Sequence, residues 1–405
     1  MKSAISLLTL CLCASLTAQT ITNYNTITGL PSNDLRDVAI DISGNVWLAS
    51  QAGVIKFDGI IAENHTPITH PGLVSSNVMA IAVMDNGDVW AGTDNGVSVF
   101  DGIAYTTYST ADGLSDNQVT NIKQAPNGDV WLATINGATL YSNGVFTAFG
   151  SPDIPFGGTT YIAFADDGDV WLGTGLAGIK VYDGSSFTSI VEADGLINNK
   201  IRSIAIDGAQ NKWVATAKGI STFDANDQHT GNHTRPFILP APDTLNPVTD
   251  VVLDPQGLVW AGVYVDYLVT EGGVSMYDGN NWVQFELSNG LVGPNVRRLA
   301  VDANDAVWVT TSSGLSKITG VQIGIDEDHS SFEFALYPNP ANTELNIVLT
   351  SSFQDQAQYQ LFDAQLRLVG SGSARNGKVL IDVSGFDPGM YIAKVGSATR
   401  KFVLQ

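Results

Sequence analysis

Asp41-Ile42-Ser43-Gly44-Asn45-Val46-Trp47 is the stretch that decides the fold. An Asp, two residues, a Gly, one more residue and Val-Trp describe a tight turn that feeds a strand. The Trp returns at 90, 131, 171, 213, 260 and 308, in steps of 43, 41, 40, 42, 47 and 48 residues. A repeat of this length holding four short strands is the period of a propeller blade. One copy predicts all four strands: 119–124 as an alternating inner strand, 130–134 carrying the Trp, 138–141, and 145–149 as the outer strand. Pro126-Asn127-Gly128, Asn136-Gly137 and Asn143-Gly144 turn the chain between them. Four other copies place Asp-Gly at the last turn: Asp58-Gly59, Asp101-Gly102, Asp183-Gly184 and Asp278-Gly279. Such pairs are expected to form two-residue type I′ hairpins, which need positive φ angles.

The expected fold class is therefore all-β: a seven-bladed β-propeller over 19–319, followed by a small immunoglobulin-like β-sandwich. The seventh copy ends after three strands, near Lys317-Ile318. Thr20-Ile21-Thr22-Asn23-Tyr24 reads as an orphan outer strand and is expected to complete that blade, removing an open sheet edge.

Outward from the repeats, residues 1–18 read as a secretory signal. Lys2 is its charged start, residues 4–16 its apolar stretch and Ala18 its small cleavage residue. No later stretch is long enough for a membrane span. Both cysteines, Cys11 and Cys13, lie in the signal, so the mature chain is expected to carry no thiol chemistry. Residues 19–329 hold 34 acidic and 12 basic side chains, whereas 330–405 hold 6 of each. An acidic domain of this kind does not attract nucleic acid.

The blade pattern of Gly-Leu, a polar stretch with Asn, Asp…Gly…Val-Trp, Gly-Val and Tyr/Phe-Asp-Gly resembles the two-component regulator propeller repeat across roughly residues 20–320. In that family the repeats form extracytoplasmic sensors, often of glycans. The chain has neither a membrane helix nor a kinase, so the resemblance implies a free extracellular propeller.

After a polar linker at 320–333, residues 334–405 read as about seven further strands. Tyr337-Pro338-Asn339-Pro340-Ala341, Pro388-Gly389-Met390-Tyr391 and Lys401-Phe402-Val403 resemble the C-terminal sorting domain of the type IX (Por) secretion system. The resemblance implies export across an outer membrane of the Bacteroidetes type, and recognition by the type IX translocon and sortase. It also implies cleavage near 320–333, leaving a secreted or surface-held product.

Loops that converge on one end of a propeller channel are where a ligand is expected. Two periodic features load that end. Asn stands 13 or 14 residues before six of the Trp, at Asn33, Asn77, Asn117, Asn199, Asn246 and Asn295, with Gly157 in the fourth copy. It reads either as a ligand contact or as a turn cap. Eleven residues before each Trp stand Arg36, Met79, Thr120, Thr160, Arg202, Thr249 and Arg297. Arg36, Arg202 and Arg297, with Arg298 adjacent, predict a locally positive mouth suited to a carboxylated or sulfated glycan. The alternative is pairing with carboxylates such as Asp37 and Asp250. Tyr264 and Tyr267, in an insertion of the sixth copy, are candidates to stack on sugar rings. The ligand-binding expectation thus rests on Arg36, Arg202, Arg297, Asn33, Asn117, Asn199, Asn246, Tyr264 and Tyr267.

Catalytic and metal residues are not expected, and no cofactor. His229 and His233 stand four apart beside Gly231 and Asn232, in what reads as an insertion between the third and outer strands of the fifth blade. His65 and His70 have no carboxylate partner that the sequence specifies. Two rival readings stay open: a lyase or hydrolase resembling streptogramin lyase, and a surface adhesin or scaffold that binds proteins.

Overall fold

Five of the Trp-bearing strands are buried at every position: Val46–Ser50, Val89–Thr93, Val130–Thr134, Val170–Thr174 and Val307–Thr311. A strand without inside-outside alternation must be covered on both faces, and in this chain neighbouring sheets cover it. The computed structural model describes residues 19–155, 157–239, 246–264, 271–321, 334–349, 357–363, 367–374, 378–395 and 398–404. The signal at 1–18 and the linker from 322 lie outside them, as does Tyr267. The chain divides into two compact units, 1–321 and 322–405.

Among the described residues the first unit contains seven four-stranded antiparallel sheets, one per Trp repeat. They are numbered here as blades one to seven in chain order. Seven apolar clusters join them, each drawing on two adjacent blades. The repeated Trp side chains lie in these seams. Trp171 packs with Ile201 and Phe223 of the next blade, and Trp308 with Leu35 and Leu48 of the first. Truncating a buried Trp at such a seam costs about 3–5 kcal/mol.

The ring is closed by sequence-distant strands. Thr20–Tyr24 pairs antiparallel with Gly314–Thr319, from Thr20 opposite Thr319 to Tyr24 opposite Leu315. Blade seven thereby takes its outer strand from the N-terminal side of blade one, as its missing fourth strand requires.

Two turn expectations need correction. Asn143 and Gly144 form the expected two-residue loop, with φ of 50° and 83°. The Asp-Gly sites do not. Phe57 pairs with Ala62, so Asp58 opens a four-residue loop, and its φ is not positive. The physical reason is the carboxylate: Asp58 Oδ1 accepts the Ile60 and Ile61 N–H groups at 2.8 and 2.7 Å. Asp101, Asp183 and Asp278 do the same in their loops. The second correction concerns His229–His233, which is the outer strand of blade five itself rather than an insertion before it. The extra residues follow it, ahead of Val248–Leu253.

The second unit is a two-sheet sandwich. Phe334–Tyr337, Glu344–Leu349 and Lys378–Asp382 form one sheet. Leu368–Ala374, Ala357–Phe362, Gly389–Val395 and Ala398–Leu404 form the other, in that order. Both contribute to one core that includes Leu345, Ile347, Leu361, Tyr391 and Phe402.

Candidate functional site

Every inner strand of the ring carries a β-bulge at one position. In blade one Leu35 faces Ser50 and Asp37 faces Ala49, leaving Arg36 as the extra residue. The bulged residues of the other blades are Met79, Thr120, Thr160, Arg202, Thr249 and Arg297. A bulge leaves one residue out of the ladder and re-aims it. Six of the seven bulged residues, all but Met79, line a cavity of about 360 Å³.

The cavity is basic. Arg36, Lys200, Arg202, Arg297 and Arg298 line it, and among the described residues no acidic side chain does. Its other wall is hydroxyl and apolar: Thr120, Thr160, Ile135, Ile201 and Tyr264. The Thr249 hydroxyl lies buried in the lining and makes no hydrogen bond. Two of the arginines are anchored from behind. Arg297 Nη1 pairs with Asp34 Oδ1 at 2.6 Å, Arg36 Nε stands 4.0 Å from Asp34 Oδ2, and Arg36 Nη1 donates to Asn77 Oδ1 at 2.6 Å. Asn77 in turn donates to Asp94 Oδ2 at 2.7 Å. The carboxylate that serves these arginines is thus Asp34, not the Asp37 or Asp250 singled out by the sequence.

Asp37 and Asp250 belong to a second ring, one residue further along, that sequence reasoning missed. Arg298 reaches across the channel from blade seven to blade four, with its Cζ 5.5 Å from the Tyr161 ring centroid. Lys123 Nζ approaches the same ring at 5.2 Å. Asp37 Oδ2 accepts from Ile81 N–H and Asp250 Oδ2 from Leu299 N–H, each on the next inner strand. Burial pushes the Asp37 carboxyl up, against the pull of Arg298. The Tyr161 hydroxyl, and behind it Asp37 and Asp250, hold Lys123 above its ordinary value despite burial.

The asparagines turn out to be clasps. Asn33, Asn117 and Asn199 each accept through Oδ1 from the N–H seven residues earlier: Thr26 at 2.7 Å, Thr110 at 2.8 Å and Glu192 at 2.9 Å. Asn246, fully buried, accepts from Phe237 N–H at 2.8 Å. None of the four lines the cavity. The expectation that they face a ligand gives way to the capping alternative, because their carbonyls are committed to the loops that precede each inner strand.

No described histidine lines the cavity. His233 stacks on Trp213 and accepts from Trp282 Nε1 at 3.3 Å, while His229 packs on Phe223, so the two do not converge. His65 and His70 do have a carboxylate neighbour: Glu63 Oε1 lies 3.6 and 3.8 Å from their Nε2 atoms. The signal was present, since Glu63 and His65 are two apart on one strand and share a face. Burial, then neighbouring His70, pushes the His65 imidazole down to about 4.

In the second unit the sorting-signal residues form one joint. Asn339 Oδ1 accepts from Val403 N–H at 2.9 Å, and Ala341 N–H donates to the Val403 carbonyl at 2.8 Å. Tyr337, exposed, accepts through its carbonyl from Asn346 Nδ2 at 3.1 Å, and Tyr391 Oη donates to the Asp387 carbonyl at 2.7 Å. Pro338 and Pro340 flank Asn339, Gly389 faces Leu404 across the last strand pair, and Lys401 faces Ile392.

Several solved structures share the propeller fold of this chain at low identity. The extracellular domain of a hybrid two component system from B. thetaiotaomicron superposes with a TM-score of 0.63 at 16% identity, covering 95% of this chain and 57% of that one. PorZ, a surface component of the type-IX secretion system of Porphyromonas gingivalis, gives 0.59 at 19%, covering 93% and 60%. This chain thus spans about three fifths of the length of these two. Virginiamycin B lyase from Staphylococcus aureus gives 0.58 at 14%, covering 75% and 99%. No curated protein matches the chain. Residues 113–136 match the two component regulator propeller family. Residues 335–405 match the secretion system C-terminal sorting domain, and through it the chain is addressed by type IX secretion to the cell surface or beyond.

Proposed function

We propose that the basic mouth of the propeller binds an anionic glycan outside the cell. One observation carries the reading. Five of the twelve basic side chains between residues 19 and 329 line a single cavity that, among the described residues, no acidic side chain lines, in a unit that is otherwise strongly acidic. Guanidinium groups bind carboxylates and sulfates through paired, charge-assisted hydrogen bonds. The Asp34 and Asn77 anchors hold Arg36 and Arg297 in place before a ligand arrives, which lowers the ordering cost of binding. Tyr264 supplies an aromatic face, and the buried Thr249 hydroxyl a partner for a sugar hydroxyl. The mouth has no described histidine that could act as an acid or base, which favours a binder over a lyase among the readings the fold allows.

The test is thermal unfolding of the mature chain with uronic-acid-containing, sulfated and neutral oligosaccharides. A ligand at about a hundred times its dissociation constant adds roughly 2.7 kcal/mol, a shift of several degrees for a domain of this size. The expected result is a shift with the acidic sugars only, weakened by salt and lost in Arg202→Ala/Lys200→Ala. An equal, salt-independent shift with neutral sugars would remove the reading. Binding of a surface protein without any sugar response would replace it with the adhesin.

A further inference from the structure

We infer that Glu63, His65 and His70 form a site for a first-row divalent transition metal such as zinc, at the outer strand of blade one and the loop that follows it. The inference is independent of the glycan reading and concerns a different part of the ring.

The three ligand atoms, Glu63 Oε1 and the Nε2 atoms of both histidines, all lie within 4.8 Å of one another. The two pairs involving Glu63 measure 3.6 and 3.8 Å. Those distances are too long for hydrogen bonds. They are close to the separation of atoms that share a metal, since bonds of about 2.0–2.2 Å at a tetrahedral angle set ligands about 3.3–3.6 Å apart.

The surrounding hydrogen bonds are compatible with two imidazole lone pairs facing the gap. Thr69 Oγ1 accepts from Thr66 N–H at 2.9 Å and has the Asn64 and Thr66 carbonyls, at 3.1 and 3.4 Å, as acceptors for its own proton. It can therefore accept from His70 Nδ1, 3.1 Å away, in the tautomer that turns the Nε2 lone pair toward Glu63. His65 Nδ1 is bonded to the Tyr105 hydroxyl at 2.9 Å, the kind of outer partner that orients a metal-ligating imidazole. Its Nε2 is buried and makes no hydrogen bond. The His65 side chain is only 2% exposed, so water does not serve that atom. With both protons on Nδ1, two imidazole nitrogens and a carboxylate oxygen converge on a gap where a cation satisfies all three.

The cation that would otherwise answer Glu63 is placed elsewhere. Lys56 is its cross-strand partner, but Lys56 Nζ lies over the Trp47 ring at 5.3 Å. The imidazoles stack at 3.7 Å between centroids and 17° between planes. Ligation therefore needs a tilt of His70, the outer ring, which is 23% exposed and able to move. Two nitrogens and one carboxylate suit zinc or a neighbouring transition ion and not calcium or magnesium, which favour all-oxygen shells. Glu63 is 59% exposed, so a fourth position stays open to solvent.

The experiment uses the untagged mature chain, stripped with a chelator, and titrates zinc by calorimetry and cobalt by its visible spectrum. One equivalent of zinc is expected to bind and to raise Tm, and cobalt loaded on the stripped chain is expected to give a tetrahedral or five-coordinate spectrum that added zinc abolishes. Glu63→Gln changes an exposed group and should keep the metal-free Tm, His70→Ala removes a half-buried ring, and both should weaken zinc binding at least tenfold. Zinc binding that is unchanged in both variants would overturn the assignment. So would the absence of binding to the wild-type chain, or stabilisation by calcium in place of zinc.

Discussion

Asp302 shows how one carboxylate fixes a blade. Its Oδ1 accepts the Asn304 and Ala306 N–H groups at 2.9 and 3.0 Å, and its Oδ2 accepts Trp308 Nε1 at 2.9 Å. The same side chain therefore shapes the turn and holds the Trp in the seam between blades seven and one. Asp41 with Trp47 and Asp254 with Trp260 repeat the device. Despite the opposing effect of burial, these hydrogen bonds and Lys317 hold the Asp302 carboxyl below its ordinary value. A depressed carboxyl stabilises the fold above its unfolded pKa, and that contribution is lost as pH falls through the folded one. Asp302→Asn should cost about 1–3 kcal/mol near neutral pH. The gap to wild type should narrow as pH drops below about 4, which urea unfolding at a series of pH values would measure. At this scale the sequence told its story in proportion to its periodicity. Arg36, Arg202 and Arg297 could be placed at the mouth because they recur at one distance from Trp. Asp37, Asp250 and Arg298 were legible as neighbours of these arginines but not as a ring of their own. Strict alternation turns neighbouring residues to opposite faces, and only the bulge brings both rings to the channel.

Loops and strands divide the labour between holding and closing. The Asn33, Asn117 and Asn199 clasps span seven residues and fix the entry to the inner strands; in blades three and five they cap short 3-10 turns at Thr110–Asp112 and Glu192–Asp194. Asn117→Ala should cost about 1 kcal/mol, as loss of a cap does, and leave affinity for anionic sugars unchanged. A loss of sugar binding without a loss of stability would return Asn117 to the ligand. Closure depends on five residues. Deleting 19–25 would leave Gly314–Thr319 as an open edge and expose the cluster that Ile21 and Tyr24 help to cover. Open edges recruit other chains, so light scattering should show concentration-dependent self-association and the scan a lower Tm. The closing strand was legible because the seventh repeat is short by one strand while an alternating segment stands unclaimed before the first. The Asp-Gly loops were misread because the dipeptide suits two turns. The choice between them is made by the side chain's own hydrogen bonds, which the residue pair does not reveal.

Across the whole molecule, charge and address are separated. The propeller carries the acidity and the sorting domain is balanced. Within the sorting domain a joint connects residues 64 apart in sequence. The opening segment meets the last strand through Asn339 and Ala341, against Val403 and Leu404. The motif at 337–341 and the motif at 401–403 are therefore one structural object, and each needs the other to keep its shape. Truncation after residue 397 removes the strand that pairs with Gly389–Val395 and half of the joint. The truncated chain should accumulate in the periplasm, as cell fractionation would show. Asn339→Ala removes the Oδ1 acceptor of Val403 N–H at the joint and keeps every terminal residue. If the translocon reads the folded joint, export of Asn339→Ala should fall while the chain remains intact. If it reads the terminal residues as a linear tag, that variant should be exported like wild type and only the truncation should fail. The first outcome is expected, because the Asn339 side chain, although exposed, is tied through its Oδ1 to the Val403 N–H of the last strand.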